Sequence, residues 1–280
     1  MRFRNLIQIV YVFIITIFIS HNLVAQKYSK LIFQDDFNYT KIDRQKWNIV
    51  ETGDHFNDEL QAYIDSNNTL YLEKGCLVIR PQFSPGFITK DGKSFDFTSA
   101  RINTKNKFDF TYGKAEARIK LSKGDGLWPA WWLLGNETWP FTGEIDIMEN
   151  IGESDWANAA VHGPGYSGET PFVNRKYVPS NNAVTDWHIY AVEWSPTELI
   201  FKYDNEIIFR VTKKMVSHYG NWVFDSPKHL ILNFAVGGIF PVKINGIKGN
   251  GQRYGLPEST AELIKTNQVK MLVDWVKVYQ

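Results

Sequence analysis

Three carboxylates crowd one short apolar stretch, GEIDIMEN, residues 143 to 150. Glu144 and Asp146 are two positions apart, and Glu149 lies three beyond Asp146. Side chains on a strand alternate faces, so Glu144 and Asp146 share a face and Glu149 should point the other way. A single β-bulge around Ile147 and Met148 would re-aim the side chains beyond it and return Glu149 to the face of the other two. Glu144 and Glu149 are then four effective positions apart, about 13 Å between Cα atoms at ~3.3 Å per residue. Glutamates leaning together from that distance bring their carboxyl groups to roughly 5–6 Å, the separation at which one attacks an anomeric carbon and the other protonates the departing oxygen. Asp146 adds a third like charge, so at least one of the group should hold its proton at raised pH. A protonated Glu149 suits the acid's role. A solvated acidic edge, or a calcium site built from the same three acids, is also compatible with the spacing.

Acids held this close need a rigid sheet, and the sequence is rich in strand patterns. GCLVIRPQ (75–82), GKAEARIKL (113–121), DWHIYAVEWS (186–195) and ELIFKYDNEIIFRV (198–211) read as strands, the last with a hairpin turn at Asp204-Asn205. HLILNFAVGG (229–238) and KMLVDWVKVYQ (270–280) read as buried central strands. In GKAEARIKL, Ala115, Ala117 and Ile119 face one way and Lys114, Glu116, Arg118 and Lys120 the other. Many short strands with few helical patterns predict an all-β sandwich in one domain. Residues 163–183, rich in Gly, Pro, Asn and Ser, read as a long surface loop.

Arg2 and Arg4, the apolar run LIQIVYVFIITIFIS and the small-residue site Leu23-Val24-Ala25 predict a secretory signal peptide over 1–25. The run is short for a membrane span. The expected product is a secreted catalytic domain, residues 26–280, with no membrane attachment after cleavage. The net charge of +1 falls to −1 without the two arginines, which gives no electrostatic reason to bind nucleic acid. Cys76 is the single cysteine, so the chain has no internal disulfide and relies on core burial, with or without the help of an ion. Nothing points to an organic cofactor, and a monomer is expected.

GEIDIMEN, preceded by GDGLWPAWWLLG (124–135), resembles the laminarinase-like branch of glycoside hydrolase family sixteen. NDELQAYI (57–64), SARINT (99–104), VHGPGYSG (161–168), WHIYAVEWSP (187–196), LILNFAVGG (230–238) and VDWVKVYQ (273–280) look like its further blocks, in order. The resemblance implies a jelly-roll β-sandwich of two antiparallel sheets with a concave substrate cleft. It implies hydrolysis of internal β-1,3-glucosidic bonds with retention, and a β-glucan polysaccharide as partner. Glu144 would be the nucleophile, Glu149 the acid/base and Asp146 the residue that tunes them. The six-residue spacing is the bulged variant of that motif.

Trp128 and Trp132 share one strand face, and the resemblance places both in the cleft, while Trp131 points inward. By the same resemblance Asn57 would contact sugar hydroxyls, Arg101 would be a subsite donor or half of a buried ion pair, and His162 would sit near the leaving group. Asn233 would line the cleft or satisfy buried backbone. A structural calcium is expected at the Asp36 and Gly75 carbonyls and Asp274, oxygen ligands of the mixed kind that calcium accepts. Two other readings remain: the same fold acting on an agarose- or carrageenan-type galactan, and a non-catalytic β-glucan-binding protein. The intact acids weigh against the second.

Overall fold

The computed structural model describes residues 28–248 and 253–280. The expected signal peptide, 1–25, lies outside the described residues. The chain runs through β1 (Leu31–Asp35), β2 (Asn48–Ile49), β3 (Gln61–Tyr63), β4 (Leu70–Glu73), β5 (Cys76–Ile79) and β6 (Gln82–Ile88). β7 (Ser94–Ser99), β8 (Arg101–Asn103), β9 (Gly113–Lys120), β10 (Leu127–Gly135), β11 (Glu144–Glu149), β12 (Trp156–His162) and β13 (Phe172–Tyr177) come after these. Next are β14 (His188–Trp194), β15 (Glu198–Tyr203), β16 (Glu206–Thr212), helix α1 (Lys213–Val216) and β17 (Lys228–Val236). Helices α2 (Ile239–Asn245) and α3 (Glu258–Lys265) precede the last strand, β18 (Met271–Tyr279).

Two antiparallel sheets carry the fold. One has the order β16-β15-β14-β9-β18-β5-β4, with β1 also on β18; the other runs β13-β12-β11-β10-β17-β8-β2. Their inward side chains join one hydrophobic cluster. Trp131 and Phe234 come from the second sheet, and Trp194 and Phe201 from the first; all four are buried. Burying side chains of this size contributes about 1.5–3 kcal/mol each relative to exposure. The expected sandwich is therefore present, and the alternations read from sequence hold. Leu127, Trp131 and Leu133 on β10 are buried while Trp128, Trp132 and Leu134 are only partly so. Asp204 and Asn205 both take left-handed φ, 49° and 68°, as a two-residue hairpin turn requires.

Two features differ from the sequence reading. A third, three-stranded sheet, β3-β7-β6, contains a parallel pair, β3 with β7. The long connection through β4, β5 and β6 supplies the crossover that parallel pairing demands. And the expected loop 163–183 holds a strand, β13, hydrogen-bonded to β12 at the sheet edge. Its residues Phe172 to Tyr177 are partly or wholly exposed, so there was little apolar alternation to read. Arg175 and Lys176 are the kind of charged residues that blunt an open edge.

Candidate active site

The predicted bulge exists. β10 pairs Ala130 with Glu149, Trp131 with Met148 and Trp132 with Asp146, skipping Ile147, and the pairing ends at Leu134 with Glu144. On the other side, Asp146 faces Ala160 and Glu149 faces Asn158, so Ile147 and Met148 together oppose one residue of β12. Ile147 and Met148 are both fully buried, while Glu144 and Glu149 are partly exposed on the outward face. Measured along β10, from Ala130 to Leu134, the two glutamates are four positions apart, about 13 Å between backbones.

Each acid has its own set of partners. Glu149 Oε1 accepts the Trp128 indole N–H at 2.9 Å, and its Oε2 accepts from Asn158 Nδ2 at 3.1 Å. Glu144 Oε2 accepts the Trp139 indole N–H at 2.7 Å. Asp146 is 3 % exposed, and its Oδ2 lies 3.3 Å from His162 Nε2. His162 in turn accepts the Gly168 backbone N–H on Nδ1 at 3.1 Å. That contact assigns the ring proton to Nε2, which faces Asp146.

No lysine or arginine forms an ion pair with these three acids among the described residues. Burial raises all three above their ordinary values. Glu144 is pushed up to about 8, by burial first and then by the Asp146 charge. Glu149 is raised by burial, against the Trp128 hydrogen bond. Acids so close exchange protons as a group. When Asp146 is ionised its charge holds a proton on Glu144; when Asp146 is protonated its O–H can donate to Glu144 and favour the carboxylate. The cluster can thus hold one ionised nucleophile beside a protonated acid.

The ligand atoms of Glu144, Asp146 and His162 converge within 4.8 Å of one another, close enough to surround a metal ion. The Gly168 contact argues against that use, because it leaves the proton on the nitrogen an ion would need.

A second network supports the tryptophans. The Trp132 N–H donates to Asn233 Oδ1 at 2.7 Å, Asn233 Nδ2 to Tyr63 Oη at 3.0 Å, and the Tyr63 O–H to Glu59 Oε2 at 3.3 Å. Gln61 and Asn57 also donate to Glu59, at 2.7 and 3.4 Å. Arg101 lies over the Trp132 ring, 4.7 Å from its centroid, and its charge acts on Glu59. Arg101 thus combines a place beside the groove with a charge partner. Asn57 is turned toward Glu59 from a left-handed backbone, φ 54°. Trp128 meets Phe240 edge to face at 5.4 Å.

Three contributors escape the sequence reading. Trp139, half exposed, is signalled only by its place five residues before Glu144. Glu59 shares a strand face with Asn57 and Gln61 in the sequence, but its place as their hub shows only in the fold. Lys228 is fully buried and donates to the carbonyls of Thr142 (2.7 Å) and Val223 (3.2 Å), tethering the turn that leads into β11. Burial lowers its ammonium to about 8.

The expected calcium residues gather around β18. β5 pairs with β18 up to Val273 and β1 from Val276, with a register shift at Asp274 between them. Asp36 comes directly after β1 and Gly75 directly before β5. Gly75 has φ 74°, and a Cβ there would come within 2.7 Å of Asn38 Oδ1, so both backbone and space favour glycine. Asp274 Oδ2 accepts from Arg118 Nη1 at 2.6 Å. The donors are all oxygens, which suits calcium, but the one carboxylate already faces a cation.

Relatives match most of the chain. A beta-glucanase of Rhodothermus marinus is 32% identical over 266 residues, spanning 90% of this chain and 85% of its own length. The laminarinase catalytic domain of Thermotoga maritima MSB8, solved with cetyltrimethylammonium bromide, superposes with a TM-score of 0.76 at 34% identity, covering 90% of this chain and 98% of that one. The endo-beta-1,3-glucanase of Pyrococcus furiosus gives 0.78 at 34%, covering 89% and 94%. The model of the glycosyl hydrolases family 16 matches residues 43–254. The bulged acidic strand is set in a chain that belongs, along most of its length, to glycosyl hydrolases family 16.

Proposed function

We propose that the chain is a retaining endo-β-1,3-glucanase acting on laminarin-like glucans and, to a degree, on mixed β-1,3/1,4-glucans. One observation carries the reading: the bulge at Ile147 and Met148 returns Glu149 to the face of Glu144 and Asp146, between the partly exposed Trp128 and Trp132. Ionised Glu144 attacks the anomeric carbon as Glu149 gives its proton to the glycosidic oxygen. The C–O bond breaks, and a glycosyl ester on Glu144 forms. Glu149, now ionised, takes a proton from water, whose oxygen displaces Glu144 and restores the β-configuration. Asp146 moderates both proton affinities, and His162 Nε2 lies 3.3 Å from its Oδ2. Trp128 and Trp132 present apolar ring surface to sugar C–H faces.

The test is Glu144→Ser. The variant should fold, bind laminarin oligosaccharides and lose hydrolysis. Full activity in a preparation free of wild-type enzyme would defeat the assignment. Product analysis on laminarin beside barley mixed glucan, with agarose and carrageenan as controls, fixes the substrate class.

Export fits the basic, apolar start of the chain and a substrate found outside cells, and one chain holds the whole catalytic set. Structural calcium at Asp36, Gly75 and Asp274 would clip β1, β5 and β18, with Arg118 as its competitor. Calcium should then raise the melting temperature after chelation, and Arg118→Met should enlarge that rise. An unchanged melting temperature with and without chelator would remove the ion from the account.

A further inference from the structure

A bulge leaves one residue's backbone outside the ladder, and in β11 that residue is Ile147, which β10 skips. Its carbonyl does not point to water. It accepts the phenol O–H of Tyr203 at 3.1 Å, a buried contact reaching from β15 of the opposite sheet. Tyr203 is itself wedged against Tyr190, edge to face, with centroids 4.7 Å apart at 82°. Burial holds the Tyr203 phenol well above its usual range, and Tyr190 and the charges of Glu149 and Asp146 add to that, so the phenol keeps its O–H near neutral pH.

We propose that Tyr203 is a positioning residue for the reaction: through the Ile147 carbonyl it locks the bulge between Asp146 and Glu149 and so aims the acid/base. Without that anchor the extra residue can move along β11. A shift past Glu149 would turn that side chain toward the core, and a shift before Asp146 would turn Asp146 inward. Trp128 and Asn158 hold the two oxygens of Glu149, but neither fixes the backbone turn that points it. Sheet packing alone does not do so either, because Ile147 and Met148 are both apolar and either could fill the space beneath.

The inference rests on the glucanase reading and is tested apart from it with Tyr203→Phe, which removes one oxygen. Two substrates are compared: laminarin, which needs acid assistance, and β-laminaribiosyl fluoride with azide, which does not. Fluoride leaves without a proton, and azide displaces Glu144 from the sugar without a base. In Y203F the laminarin kcat should fall about tenfold or more with KM within about twofold, the scale expected of a small misplacement of a catalytic group. The fluoride-plus-azide rate should fall far less. The ratio of the two rates is independent of the folded fraction, so partial unfolding does not spoil the comparison. Tyr190→Phe, which removes a hydroxyl with no hydrogen-bond partner among the described residues, should leave the ratio at the wild-type value. An unchanged ratio in Y203F, or equal losses on both substrates, overturns the positioning role. A wild-type protein inactive on every glucan would instead overturn the reading beneath it, and the inference with it.

Discussion

The outward faces of the two sheets treat charge in opposite ways. On the sheet containing β9, β14, β15 and β18, acids sit beside cations. Lys114 pairs with Glu116 at 2.6 Å, Arg118 with Asp274 at 2.6 Å, and Lys202 with Glu193. At the edge of that sheet, Lys270 holds Glu73 below the usual carboxylate range. On the sheet containing β11, three acids share one face with no lysine or arginine paired to them among the described residues, and all are raised. Both faces are built on the same alternating pattern. A paired carboxylate stays ionised and adds little beyond solubility; an unpaired, half-buried one keeps a proton available for chemistry.

Placing a cation in the acidic groove should have the largest effect. Asn158→Lys would set an ammonium against Glu149 and lower its proton affinity. Hydrolysis near neutral pH should fall by about 10²–10⁴-fold, the range typical of general acid catalysis. The kcat–pH profile would move to lower pH. A wild-type profile would show that the missing cation is incidental.

Stability should carry the same signature. Glu144 is ordinarily ionised above about 4.5 and is raised to about 8 in the fold, so folding favours its protonated form. Its stabilising contribution is complete below the unfolded value and is lost as pH rises through the folded one. Glu144→Gln should therefore gain several degrees in melting temperature at pH 8 and much less at pH 4. Equal gains at both pH values would mean that burial of the charge costs nothing.

Trp128→Phe removes a donor that favours the ionised form of Glu149. The alkaline limb of kcat/KM should shift upward, with a loss of about tenfold from poorer aim. An unmoved limb would separate the indole from the titration. Least of all, Lys202→Met on the paired face should change stability by about 0–1 kcal/mol in a denaturant melt and leave activity unchanged.

Much of the site was legible because it is local. The odd spacing of Glu149 pointed to a bulge within six residues, and alternation put Trp128 and Trp132 on one face and Trp131 in the core. The edge strand β13 was not legible, since a strand with one neighbour and exposed faces leaves no apolar period. The third sheet was hidden because its parallel pair joins segments separated by β4, β5 and β6. The motifs bring Arg101 and Asn57 near the groove, but strand period shows their common partner Glu59 only as a residue on the same face.

By itself the sequence showed that one bulge near Ile147 and Met148 would return Glu149 to the face of Glu144 and Asp146, because strand period and residue count make that the simplest regular way to gather three acids. The tertiary structure decided what holds them there. Trp139 reaches Glu144 from the preceding turn, Gly168 sets the His162 tautomer, and Asn233 holds Trp132 from 101 residues away. Tyr203 closes the bulge from the other sheet, 56 residues along the chain. Such contacts depend on which strands become neighbours, and that is set by the packing of two whole sheets, which no local period encodes.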